Sequence, residues 1–558
     1  MKSDNRLLLA ILAVALVLLL IVCCAGTVFV FFVYSSSNPG AVQIGSSIAA
    51  TPRAVPAVPR ARQGQTLTLC PLGGEPLTLD PHLVQDADSA EYIVNIFSGL
   101  VGIDQNLKLT PDLAEKWDIS ADGKTYTFTL RKNAKFQDGR QVTAQDVKYS
   151  FERALDPLTE SPVADTYLGD IVGARDRLAN RATSVSGVKV IDDATVAITI
   201  DAPKSFFLWQ LTYTVAYIVD RNNIEKGGKN WADKPNGTGP FKLASRTADQ
   251  IVLARNDNYY GAKPTLTQVT YLLTGSAMTR YENGEIDMTQ VTGADIDRVT
   301  DETNALSKQL VTADQFSFSY LGFDVSVPPF DDPKVRQAIA YAIDKNKLTS
   351  VVLKGMATTA DGILPPGMPG YNKDLNKLTF DPVKAKQILA QSKYAGTMPP
   401  ITLYVLGSGA APTGTPPAIQ QMLQQNLGVT MDIQLVDSNA FFSGLFQHKY
   451  AMFITGWIAD YPDPYDFLDV LFHSQSTLNH GNYKNAQLDT LLDAARLERD
   501  EAKRTQLYQQ AEQVLISDAA VIPLDFARDY WLVKPYVKGV QRPPFVLPWL
   551  TPVSIEGQ

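Results

Sequence analysis

Cysteine and histidine are scarce in this chain, and the common signatures of catalysis are missing. Three cysteines occur in 558 residues. Cys23 and Cys24 lie in an apolar N-terminal stretch, so Cys70 has no partner in the remainder and a disulfide framework is excluded. Cys70 reads as a buried, unreactive thiol. Of four histidines, only His473 and His480 lie near one another. With no cysteine beside them they read as loop or surface residues, not as a zinc or nickel site. No metal or cofactor is expected.

There is no G-x-S-x-G elbow, no H-E-x-x-H, no C-x-x-C and no phosphate loop ending in Gly-Lys-Ser/Thr. Gly237-Thr-Gly239 is half of a dinucleotide fingerprint, but Pro240 and Phe241 follow it and Lys242 stands where its third glycine belongs. Two carboxylate pairs, Asp331 with Asp332 and Asp460 with Asp463, imitate an acid/base pair. The first has a full account as a helix cap. The chain does not read as an enzyme. Basic excess is also missing: Lys and Arg total 50 against 58 Asp and Glu, a net charge of −8. That balance lacks the basic footprint of a nucleic-acid binder and argues for solubility.

What is present begins with an address. Leu7 to Tyr34 carries no charge; as a helix it would extend about 42 Å, against about 30 Å of hydrocarbon. Lys2 and Arg6 precede it and no basic residue follows until Arg53. The positive-inside rule puts the N-terminus in the cytoplasm and the bulk of the chain outside. Residues 1–34 therefore read as an uncleaved membrane anchor; a cleaved or lipidated terminus at Cys23 is the alternative. Residues 35–64, rich in Ser, Pro, Ala and Gly, bury too little to order themselves and read as a flexible linker reaching roughly 30 Å.

From Gln65 onward strand and helix signals mix, as in an α/β protein. Tyr126, Phe128 and Leu130 alternate with polar neighbours after the Ser120–Gly123 turn, and Val196, Ile198 and Ile200 repeat the pattern. Asp332 followed by Pro333 opens a helix whose apolar face carries Val335, Ile339 and Ile343. Leu488, Leu491, Leu492 and Ala495, then Leu507, Ala511, Val514 and Leu515, predict a pair of helices near the C-terminus.

Longer segments carry more information. Glu75-Pro-Leu-Thr-Leu-Asp-Pro-His82, Ala114-Glu-Lys-Trp117, Ser120 to Arg131, Phe136-Gln-Asp-Gly139 and Thr143-Ala-Gln-Asp-Val147 follow in order. Gly237 to Phe241, Arg255 to Tyr260, Gly284 to Asp287, Asp332 to Asp344 and Gly456-Trp-Ile-Ala-Asp-Tyr-Pro-Asp-Pro464 continue the series. Across residues 67–550 this resembles the family 5 extracellular solute-binding proteins, the oligopeptide- and dipeptide-binding components of ABC importers. Trp117, Tyr126, Phe128, the Asp138-Gly139 turn and Thr143 as an N-cap have sufficient accounts as fold-specifying residues.

The resemblance implies a periplasmic-binding-protein-like fold: two lobes joined by hinge strands, an extra domain on lobe one, and a ligand cleft between the lobes. Lobe one would comprise residues 65–91, 213–320 and 531–558, the extra domain 92–212, and lobe two 321–530. The crossings are expected near Phe318–Phe323 and Phe526–Trp531. The implied function is capture of short peptides and delivery to a permease and its ATPase, as a monomer outside the cell membrane. A nickel complex, an oligosaccharide or a sensing role are the alternatives. The resemblance makes Asp460 the partner of the ligand ammonium. Main-chain groups of Gly456 and Ile458, and of Gly74 and Glu75 on the other lobe, would bind peptide backbone as an added strand. Trp457 would wall the pocket, a core role being the alternative. No partner for the ligand carboxylate is identifiable.

Overall fold

The computed structural model describes residues 64–71, 73–407, 411–542, 544–545 and 550–557. The anchor and nearly all of the linker fall outside them. Among the described residues no helix is long and apolar enough to cross a membrane.

One group of strands is built on β1 (Thr66–Leu69), β2 (Phe241–Arg246), β3 (Gln250–Arg255), β4 (Gln268–Leu272) and β5 (Met288–Gln290). β1 lies between β4 and β5, parallel to both, and β3 and β2 extend the sheet antiparallel. Leu67, Leu69, Phe241, Leu253 and Val269 face a core closed by Tyr92, Ile93 and Ile96 of α1 (Ala87–Ile96). The half-fingerprint glycines have a packing role here. A Cβ on Gly237 or Gly239 would overlap the Ile96 or Asn95 carbonyl at the end of α1.

β6 (Leu310–Asp314) leads into β7 (Ser317–Phe323), and from there the chain builds β8 (Ala357–Thr359), β9 (Ile401–Leu406), β10 (Met431–Val436) and β11 (Met452–Ile458). The strand order is β10-β9-β11-β7, with β7 antiparallel to β11. Its core holds Leu321, Phe323, Leu403 and Met431 with Val335 and Ile339 of α2 (Pro333–Ala342). Asp332 caps that helix by accepting the Lys334 N–H at 2.9 Å, as its Asp-Pro start predicts.

One long strand, β12 (Val521–Val533), belongs to both groups. Val521 to Asp525 pair with β7, Arg528 to Leu532 with β6, and Trp531 to Val533 with β5. Strand partners therefore change between Asp314 and Ser317 on one crossing, and between Asp525 and Arg528 on the other.

Residues 114–199 form a separate four-stranded antiparallel sheet in which Tyr126, Phe128 and Leu130 point inward. Against it packs a helix, Ala144–Ala154, begun by Thr143, whose N–H and hydroxyl both donate to Asp146 at 2.9 Å. The two expected C-terminal helices are present as Ala486–Leu497 and Glu501–Ser517. Their inward residues, Leu488, Leu492, Ala511 and Leu515, join a core that also contains Phe128, Phe151 and Tyr167. Residues from the small sheet's region and from beyond β7 thus share one buried cluster.

Two expectations are corrected. Cys70 is only half-buried, although burial still raises its thiol above the ordinary range. Of the two places left open for His473, the loop is right and the surface is not: it follows the helix ending at Phe472, is 4% exposed, and its Nδ1 accepts the Gln475 N–H at 3.1 Å.

Candidate functional site

Gly456, Trp457 and Ile458 end β11, and their strand context decides which way the backbone points. The Ala459 N–H donates to the Phe316 carbonyl at 2.7 Å. Antiparallel pairs alternate between bonded and non-bonded, so Trp457 turns its N–H and C=O toward Phe318. Gly456 and Ile458, opposite Ser319 and Ser317, turn theirs the other way. On that other side β9 pairs only with Phe453 and Ile454. Among the described residues the strand therefore runs past its neighbour and presents Gly456 and Ile458 at an open edge, with Gly456 exposed.

The turn after β11 carries the acids. Tyr167, from the segment between residues 92 and 212, donates its hydroxyl to Oδ2 of Asp460. The Asp460 N–H and the Trp457 indole N–H both donate to Oδ2 of Asp466, at 3.0 and 3.1 Å. Asp466 is fully buried in the first turn of α3 (Tyr465–Phe472). Oδ1 of Asp466 is buried and receives no donor. Among the described residues no lysine or arginine pairs with either carboxyl. Loss of water accordingly dominates: burial pushes Asp460 up to about 7, and pushes Asp466 well above the carboxylate range.

Asp463, which by spacing only imitates an acid/base partner of Asp460, is engaged elsewhere. Arg504 grips it with two bonds, at 2.6 and 2.8 Å. The acid beside Asp460 is thus Asp466, and Asp463 belongs to an ion pair. Trp457 is only partly buried and packs against the core, its indole fixed by Asp466.

Around this turn two regions of the chain are shut together by aromatics. Tyr167 stacks on Tyr213 at 4.0 Å and 8°, and Phe206 stacks on Tyr465 at 3.8 Å and 15°. The Arg504 guanidinium lies over Phe206. A cavity of about 270 Å³ opens beside the strand crossing, with Gln315, Leu364, Glu512 and Phe526 in its wall.

Gly74 and Glu75 are not brought into contact with this turn. The Gly74 carbonyl accepts the Tyr92 hydroxyl at 2.9 Å, and Glu75, exposed, pairs with Arg246 at 2.8 Å. Gly74 has φ +104°, with open space where a side chain would sit, so its backbone can be approached closely. Tyr167, Tyr213 and Asp466 escaped the sequence reading. The tyrosines reach the turn only through tertiary packing, whereas an acid at the start of a helix has an ordinary explanation in the helix dipole.

This geometry has close structural counterparts. The Escherichia coli murein tripeptide binding protein MppA superposes with a TM-score of 0.80 at 27% identity, covering 89% of this chain and 99% of that one. Its unliganded open form gives 0.68, at 27% identity over 88% and 98% of the two chains. The chain thus has the two-lobed α/β architecture of periplasmic binding proteins. It belongs to the bacterial extracellular solute-binding proteins, family 5, whose middle-region model matches residues 108–479. Among curated relatives, the periplasmic oligopeptide-binding protein OppA of E. coli is 32% identical, covering 84% of this chain and 88% of that one. The probable deoxycholate-binding periplasmic protein YgiS of E. coli is 31% identical, over 83% and 89% respectively.

Proposed function

We propose that this chain captures short peptides by their amino terminus outside the membrane and delivers them to an ABC permease with its ATPase. One observation carries the reading: among the described residues the half-buried Asp460 carboxyl has no lysine or arginine partner, and it lies beside a strand edge whose Gly456 and Ile458 main-chain groups turn away from the paired strand. An ammonium removed from water needs such a carboxylate, and an extended backbone needs such an edge. Asp460 takes the ammonium, Gly456 and Ile458 pair with the first residues, Trp457 walls the site, and Gly74 and Glu75 approach from the other lobe. The cavity at the crossing gives a ligand side chain room. The relatives' names, for oligopeptides in OppA and a murein tripeptide in MppA, support the peptide class. A bile acid, as in the name of YgiS, would set an anion against Asp460 and is disfavoured.

The lobes in this reading are residues 65–91, 213–320 and 531–558, and 321–530, with 92–212 as the extra domain. The hinge lies where strand partners change, at Asp314–Ser317 and Asp525–Arg528. A guest touching both lobes shifts the balance toward the shut state by its differential affinity for it. The Leu7–Tyr34 anchor and its linker keep the binding unit near the permease. Calorimetry with a free-amine tetrapeptide and its N-acetylated twin tests the reading. Binding of the free amine alone is expected; equal binding of the acetylated peptide overturns it.

A further inference from the structure

Asp466 plays no part in the peptide contacts above, yet it is the most completely enclosed acid of the turn. Its Oδ2 is saturated by two N–H donors, from Asp460 and Trp457. Its Oδ1 is buried and receives no donor. Asp460 touches it through its own N–H, and two acids placed this close in a dry site do not both ionise. The charged and titratable groups facing it are Asp460, Asp463, Tyr167, Tyr213 and Tyr461. None is a cation, and the Arg504 guanidinium is held by Asp463.

We infer that Asp466 is a neutral carboxylic acid in the working protein, carrying its proton on Oδ1. It is a positioning residue. Through Oδ2 it holds the Asp460 backbone and the Trp457 ring, while the Tyr167 hydroxyl steadies the anchor carboxyl itself. The anchor then presents one negative charge, matched to one ammonium, where two ionised acids would present two. This role in ligand capture rests on the reading of Asp460 as the anchor; the proton on Asp466 does not.

Two measurements on the full-length protein test it. Infrared difference spectra between wild type and Asp466→Asn, at about pH 8.5 where ordinary carboxyls are ionised, are expected to show the carbonyl stretch of a protonated acid. That band should shift when aspartate is carbon-13 labelled. Asn reproduces both the acceptor and the donor of a protonated acid, so tetrapeptide affinity by calorimetry is expected to stay within about threefold of wild type. Asp466→Leu, which leaves two buried N–H groups unmet, is expected to lose about tenfold or more. No protonated-acid band overturns the proposal. So does a loss of about tenfold or more in a folded Asn variant. If Asp460→Asn binds peptide as well as wild type, the anchor reading fails instead, and the infrared band still decides the protonation of Asp466.

Discussion

Replacing Asp460 by asparagine removes one charge and almost no volume, so it isolates the electrostatic part of capture. Burial raises this carboxyl from 3.8 to about 7. At ~1.4 kcal/mol per unit, ionising it in the shut, ligand-free site costs about 4 kcal/mol more than in water. A peptide ammonium offsets that cost; with asparagine the ammonium is desolvated against a neutral amide. The expected loss is about 2–5 kcal/mol in peptide affinity, roughly 30-fold to several-thousandfold.

The sign of the pH effect follows from the same shift. In the free protein the carboxyl is protonated below about 7, whereas beside an ammonium it ionises at much lower pH. Binding below pH 7 therefore expels a proton, and wild-type affinity should fall by about tenfold for each pH unit lost. The peptide ammonium stays charged throughout that range. Titration calorimetry from pH 5 to 7, in buffers of different ionisation heat, reads both the affinity and the released proton. Affinity in the Asn variant within about threefold of wild type would refute the reasoning. So would a wild-type affinity equal at pH 5 and pH 7.

Tyr167→Phe removes the hydroxyl that donates to Asp460 and should weaken peptide binding by about 1.5–3 kcal/mol, the range for a hydrogen bond to a charged group, as read by calorimetry. Glu512 is lifted from 4.5 to about 7 by burial, which the Ile363 and Leu364 N–H groups only partly offset. The folded state thus binds this proton more tightly than the unfolded chain does. Stability from this group is complete below about pH 4.5 and is lost as pH rises through about 7, by roughly 3 kcal/mol at most. Glu512→Gln should flatten that slope in denaturant titrations at pH 5 and 8, and parallel curves would contradict it. Phe206→Ala deletes the stack on Tyr465, worth about 1 kcal/mol. It should enlarge the ligand-free radius of gyration in small-angle scattering, with peptide restoring the compact value.

Legibility in the sequence followed the range of the interactions. The Thr125–Leu130 strand, the Asp332 cap and the paired C-terminal helices depend on neighbours a few residues away, and periodicity exposed them. Gly456 to Asp460 was found as a segment, but the outward turn of the Gly456 and Ile458 backbone needed the register with β7. That Asp466 and not Asp463 is the acid beside Asp460 could not be read from spacing. Only the fold shows that Arg504, far along the chain, claims Asp463. Tyr167 lies nearly three hundred residues from its acceptor, and no local pattern could join them.

β12 also constrains the order in which the protein is built. β5 lies between β1 and the last residues of β12, Trp531 to Val533. The first sheet to be started during synthesis is consequently among the last to be finished. A ribosome must release almost the whole chain before β5 finds its second neighbour. Until then the growing polypeptide keeps an incomplete sheet, a condition that favours threading through a secretion channel over premature locking on the wrong side.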